Sequence, residues 1–157
     1  MGAISAGSVD GLGSALLKAT LADFQAAADR IRSDRIHSPL LPFSKDESRE
    51  VRLKAECLQP YGSFKIRAAA NVLSARPAAA LAGGVATASA GNFAQGLCYA
   101  ARSRGVRVTV HVPDTAPQVK LRAIESLGAR IVSHPFDDWW RIMSTRDTGA
   151  DDGMFIH

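Results

Sequence analysis

Cysteine is scarce: Cys57 and Cys98 are the only two in 157 residues, too few for a disulfide-stapled secreted scaffold. Aromatic residues are also sparse, at 6%, and none is interleaved with a basic run. The 19 Lys and Arg, set against 15 Asp and Glu, are scattered along the chain. The net charge of +4 therefore lacks the clustered footprint of a nucleic-acid-binding module and suits small anionic ligands. No apolar run is long enough to cross a bilayer. The apolar start, Met1 to Leu17, has no basic n-region and contains Asp10, unlike a secretory signal or transit peptide. Ala3-Ile4-Ser5-Ala6 after Gly2 lacks the Ser or Thr of a myristoylation site. These absences leave a cytoplasmic protein as the default. His37, His111, His134 and His157 have no metal-ligand spacing, so no metal site is expected.

What is present is ordinary for one soluble globular domain: 46% hydrophobic and 22% charged residues. Residues 1–18 read as a loose lead-in. Thr20 is placed to cap a helix over Leu21–Arg32, with Phe24, Ala27, Ala28 and Ile31 on one face. Pro39 and Pro42 make residues 38–42 extended. Lys45 to Arg49 reads as a charged turn, Val51–Ala55 as a half-exposed strand and 59–62 as a loop. A helix over Phe64–Arg76 is ended by Pro77. From Gly83 onward strands and helices alternate: strand 84–89, helix 92–104, strand 106–112, helix 117–127, strand 130–133 and helix 137–146. That alternation predicts a parallel sheet with helices on both faces, an α/β fold. Gly153 to His157 reads as the start of a buried strand.

Two constellations can carry chemistry. In Gly62-Ser63-Phe64-Lys65-Ile66-Arg67, Lys65 sits where a loop becomes a helix. The positive end of the helix dipole disfavours a cationic amine there, and a neutral amine is a nucleophile toward an aldehyde. An exposed first-turn lysine is the plainer alternative. In Ser89-Ala90-Gly91-Asn92-Phe93-Ala94-Gln95-Gly96, small residues join a strand to a helix whose first-turn amides suit a carboxylate or phosphate. An ordinary turn capped by Asn92 fits the same residues.

Together, in this order, the two motifs resemble the serine/threonine dehydratases among the fold-type II pyridoxal-phosphate enzymes. Ser38-Pro39-Leu40 and the stretch from Val110 to Gly128 are similar to that family as well. The resemblance runs from about Leu21 to His157. It implies pyridoxal 5′-phosphate held as a Schiff base on Lys65, which also serves as the proton-transfer base. Phe64 would pack near the cofactor ring and Asn92 would bind its ring hydroxyl. Ser89, Ala90, Gly91, Asn92, Phe93 and Gln95 would form the substrate-carboxylate loop. The implied reaction is dehydration and deamination of L-threonine or L-serine to 2-oxobutanoate or pyruvate plus ammonia. The nearest alternative is a related enzyme acting on another hydroxy amino acid, such as 3-hydroxyaspartate. The implied partners are a small hydroxy amino acid and further copies of the same chain, with neither nucleic acid nor membrane.

Three residues depart from the family pattern. Phe93 stands where a His is common, so carboxylate binding leans on amides and Ser89. Ala90 replaces the second loop Ser that related serine racemases use as their opposite-face base, which disfavours racemisation. Ala68 replaces a frequent Gly. Length is the largest departure. The family's glycine-rich phosphate loop and the group facing the pyridine nitrogen have no counterpart here, and Gly83-Gly84 is too short to serve. The expectation is therefore a truncated chain. Residues 1–45 would be a lead-in with the first elements of the large cofactor-binding domain, 46–150 the small α/β domain, and 151–157 the start of the return to the large one. A rival reading is an inactive fragment that self-associates through exposed cleft surface. Asp137-Asp138-Trp139-Trp140 reads as a helix start capped by one of the aspartates and packed by the Trp pair, with a catalytic acid beside an aromatic wall as the sharper alternative.

Overall fold

The computed structural model describes residues 18–46 and 49–157; all but the last residue of the lead-in expected over 1–18, and positions 47–48 of the turn expected over Lys45–Arg49, lie outside it. Helix α1 (Leu21–Arg30) starts at Thr20 as expected. The Thr20 hydroxyl accepts the Asp23 N–H at 3.3 Å, and the Asp23 carboxylate accepts the Thr20 N–H at 2.7 Å. Each side chain thus satisfies the other residue's backbone N–H. The expected apolar face is corrected by the structure: Ile31 is buried, but Phe24 is 63% exposed and α1 itself buries no residue.

The extended 38–42 segment proves to be part of a hairpin. Strand β1 (Leu40–Asp46) pairs antiparallel with β2 (Arg49–Lys54), and the register shifts between Pro42 and Ser44. Pro42 has no N–H to give the ladder, so a shift beside it loses little. The charged turn is correspondingly shorter than Lys45–Arg49, because its ends belong to the strands. Leu40, Leu41, Phe43, Val51 and Leu53 are all exposed. The hairpin thus carries apolar side chains that nothing among the described residues covers.

After two short 3-10 turns, Glu56–Leu58 and Pro60–Gly62, the α/β part begins. Helix α2 (Lys65–Ser74) starts one residue later than expected, with Phe64 at its N-cap. A short helix α3 (Ala78–Leu81) follows Pro77, where only a stop was expected. Then come β3 (Val85–Ala88), α4 (Asn92–Arg102), β4 (Val108–Pro113), α5 (Gln118–Glu125), β5 (Arg130–His134), α6 (Phe136–Thr145) and β6 (Met154–Phe155). The strands form one sheet in the order β5-β4-β3-β6, every pair parallel. Residues 151–157 thus bring β6 against β3.

The apolar periodicity explains the layers. Ile66, Ala69, Ala70 and Leu73 of α2 are buried with Ala94, Leu97 and Ala101 of α4 against Val85, Val108, Val110 and Val112. Side chains alternate across a strand, so His111, between Val110 and Val112, points to the opposite face, where α6 lies. Both faces are therefore covered, as parallel strands require. The loops after the C-terminal ends of β3 and β4 open at one edge of this arrangement, the usual place for ligands in open α/β sheets.

Candidate active site

Lys65 is the first residue of α2, half-buried, with its backbone N–H donated to the Ser63 hydroxyl at 3.2 Å. Tyr61 and Gly62 both adopt left-handed backbone angles, φ 59° and 67°, and swing the chain into this helix start. Gly62 adopts that region at little cost; Tyr61 does so against the usual steric penalty. The Lys65 ammonium lies 4.9 Å from the centre of the Phe64 ring, within cation–π range. It opens onto a cavity of about 430 Å³ lined by Phe64, Ala68, Ala88, Ser89, Phe93 and Trp139. Ala90, Met143 and His157 complete the wall, and Lys65 is the one lysine among the lining residues.

Close helix packing sets where Lys65 stands. A Cβ on Gly96 of α4 would lie 3.1 Å from the Ile66 nitrogen and 3.2 Å from the Lys65 carbonyl carbon. Those neighbours are backbone atoms and cannot step aside as a side-chain tip can. Glycine in a helix interior costs about 1 kcal/mol relative to alanine; here it lets α4 approach the Lys65–Ile66 peptide. The same helix carries the Ser89–Gln95 loop at its N-terminus, so the approach fixes lysine and loop relative to each other.

On the other side of α2, Arg67 donates twice to the Glu56 carboxylate, at 2.7 Å to each oxygen. The Ser38 hydroxyl donates to Glu56 Oε1 at 2.5 Å, and Lys54 donates to the Ser38 carbonyl. Chiefly through the Arg67 hydrogen bonds, Glu56 is held down to about 2. A carboxylate held below its unfolded value stabilises the fold above roughly pH 4.5, and that stabilisation is lost as pH falls toward 2. Glu56→Gln removes the charge but keeps an acceptor. We expect it to cost about 2 kcal/mol at pH 7 and to flatten the acid limb of a stability–pH curve. An unchanged acid limb in thermal melts would show that the pair does not anchor this end of α2.

The structure brings Phe64, Lys65, Ser89, Ala90 and Phe93 to one cavity. Asn92 is exposed in the first turn of α4, and Gly91 is that helix's N-cap with no side-chain cap bond. Asn92 therefore is not the cap that the plainer reading of the loop supposed. Gln95 is buried, its N–H donated to the Gly91 carbonyl at 3.3 Å. Gly91, Asn92 and Gln95 do not line the cavity.

Helix α6 requires a further correction. Its N-cap is Pro135, without a side-chain bond, so neither Asp137 nor Asp138 caps it, and both are exposed. The proline's extended backbone ends the preceding strand, and the helix starts before either aspartate is reached. Trp139 is a cavity wall, with its indole N–H donated to the His111 carbonyl at 3.1 Å, whereas Trp140 is 54% exposed. The sequence offers Trp139 only as the aromatic wall of the sharper alternative, and it marks neither Met143 nor His157 with any motif. Gly96 did leave a signal, a glycine in mid-helix. Cys98, the small buried side chain expected, has its thiol pushed up to about 12 by burial, so it is no nucleophile at neutral pH.

Comparison with known proteins follows the same lines. A family model described as pyridoxal-phosphate dependent enzyme matches residues 34–154. An L-threonine ammonia-lyase of Geobacter sulfurreducens is 38% identical over 142 residues, covering 85% of this chain and 34% of that protein. A serine racemase of Homo sapiens is 37% identical over 146 residues, covering 88% and 43%. Among solved structures, maize serine racemase superposes with a TM-score of 0.77 at 26% identity, covering 88% of this chain and 44% of that one. The processed form of threonine deaminase isoform 2 from Solanum lycopersicum gives 0.70 at 29%, covering 88% and 41%. The chain thus spans between 34% and 44% of the lengths of these relatives.

Proposed function

Since this chain belongs to the pyridoxal-phosphate-dependent enzymes, we propose that it serves a lyase in which Lys65 is the catalytic amine. The reaction is elimination from a small hydroxy amino acid: L-threonine gives 2-oxobutanoate and ammonia, L-serine gives pyruvate and ammonia. Water leaves across Cα–Cβ and returns when ammonia is released, so the substrate and the summed products have the same atoms. The observation that carries the reading is one cavity lined by both Lys65 and Ser89. Alanines at 68, 88 and 90 leave it room that larger side chains would fill. Those features suit a flat aldehyde-bearing cofactor.

Pyridoxal phosphate, when bound, supplies the electron sink that weakens the substrate's Cα–H bond. Lys65 Nζ takes up the Cα proton. The Phe64 ring would pack near the cofactor, and Asn92, outside the cavity wall, would have to turn toward it to bind its ring hydroxyl. The Ser89 hydroxyl and the amides of the first α4 turn bind the carboxylate, where the helix dipole adds about 0.3–1 kcal/mol. Phe93, Trp139 and Met143 form an apolar wall that keeps water from the reacting carbon.

Racemisation is the competing chemistry among the relatives. It needs a proton donor on the opposite face of the substrate, and the Ala90 methyl group cannot be one. Supplied with pyridoxal phosphate, an enzyme of full family length that carries this segment is expected to convert L-threonine and L-serine to 2-oxo acid and ammonia in equal amounts. D-serine accumulating faster than pyruvate, or 3-hydroxyaspartate as the preferred substrate, would overturn this reading. Association between copies of the chain belongs to the same proposal.

A further inference from the structure

On the face of the sheet away from α2, three side chains from separate elements form a chain of hydrogen bonds. His111 of β4 shares a ring nitrogen contact with His134 at the end of β5, Nδ1 to Nε2 at 2.8 Å. Its other ring nitrogen, Nε2, lies 2.6 Å from Asp152 Oδ2. Thr148 donates to the second Asp152 oxygen at 2.9 Å. The His111 and Asp152 side chains are only 3% and 6% exposed. Nothing in the proposed chemistry uses them.

The protons in this chain can be counted. Ionised Asp152 can only accept, so His111 Nε2 carries a proton. The His111–His134 contact then holds one proton, on either nitrogen. The pair can accept one extra proton and keep the contact, with Asp152 balancing its charge. A second extra proton sets two N–H donors against each other at 2.8 Å and breaks it. Burial, followed by the nearby His111, lowers the His134 pKa, with Arg141 acting in the same direction and Asp138 opposing. Arg107, Arg130 and Asp151 border Asp152 from the adjoining cavity. The folded form therefore resists protonation at His134, and this part of the fold weakens as pH falls through the unfolded value of about 6.5.

The same residues hold the cavity wall. The His111 carbonyl accepts both the Ser89 N–H at 3.1 Å and the Trp139 indole N–H at 3.1 Å. The Trp139 backbone N–H is donated to Pro135, the residue after His134. Asp152 leads directly into β6, where Ile156 donates to the Ala86 carbonyl at 2.8 Å just before the cavity residue His157. We propose that the His134–His111–Asp152 chain is a proton-operated positioning device, which holds Trp139 against the cavity when the histidine contact is intact and releases it when both rings are protonated. His111, His134 and Asp152 are thus positioning residues, acting through Trp139 and β6.

The test follows the Trp139 indole N–H by nitrogen-15 NMR in a Trp140→Phe background, from pH 8 to 5. It uses neither cofactor nor substrate, so its failure would leave the lyase reading standing. The indole resonance is expected to move toward its solvent-exposed position with a midpoint below 6.5, matching the His134 ring. His134→Gln, at a partly exposed position, should abolish that titration while circular dichroism stays native. Asp138→Asn, at an exposed position, should lower the midpoint, because the Asp138 carboxylate favours the charged His134 ring. A native indole that does not titrate in this range would overturn the proposal. So would a titration that persists unchanged in His134→Gln.

Discussion

Lys65→Ala is expected to reduce 2-oxo acid formation by about a thousandfold or more, the scale on which removal of a positioned proton-transfer group and nucleophile is felt. The loss should fall on the chemical step and should not be rescued by more substrate, because the amine is proposed to move the Cα proton itself. The fold should be spared. Lys65 is half-buried at the first position of α2, its backbone bond to Ser63 survives the change, and alanine is a good helix former. Lys65→Arg is the sharper control. It keeps the positive charge over Phe64 but cannot act as a neutral amine, so it should be as inactive as the alanine variant. Activity retained in either variant, measured as 2-oxo acid released from L-threonine, would remove Lys65 from the mechanism.

The second large effect is expected at Gly96, which touches no ligand in this account. Alanine there gains up to about 1 kcal/mol of helix propensity, but its methyl group meets the Ile66 and Lys65 backbone at 3.1–3.2 Å. Overpacking of this kind costs roughly 1–3 kcal/mol. The net loss should lower the thermal midpoint by several degrees. The functional loss should be larger than the stability loss suggests, because α2 can relieve the contact only by carrying Lys65 away from the α4 loop. Displacement of a reacting group by about 1 Å can cost a hundredfold. Gly96→Val should be worse on both measures. An alanine variant that is more stable than the parent and fully active would show that the helices are not held at this contact.

The parts of the fold that were legible in the sequence are those governed by local chemistry. The β-branched run of Val106 to Val112, the Asn92–Arg102 helix and the glycines at 105 and 128 mark the alternating units without reference to the rest of the chain. Thr20 announces the α1 cap in the same way, while the reciprocal bond from Asp23 is a finding of the structure. The hairpin is legible only in part, because Pro39 just before β1 and Pro42 within it mask a strand that pairing reveals. Periodicity places Phe24 on the apolar face of α1, yet it is 63% exposed among the described residues.

In the site, Lys65 and Ser89 were legible because each sits in a compact motif at a helix start. Glu56 and Arg67, eleven residues apart, and His111, His134 and Asp152, spread over forty-one, were not. Their partnership is made by the sheet and by the turn before α2, and no spacing rule in the chain reports it. Trp139 fell between these cases. Its place in an aromatic wall was foreseen as an alternative, but the aspartates beside it do not share that wall.

The central claim is that the Lys65 amine is the group that engages the cofactor. The most direct test is to mix the protein with pyridoxal phosphate, reduce with borohydride and map the modified lysine by mass spectrometry. Among the chain's five lysines, Lys18, Lys45, Lys54, Lys65 and Lys120, the label is expected to concentrate on Lys65 and to be lost in Lys65→Arg. A label spread evenly over the five, or one that excludes Lys65, would contradict it.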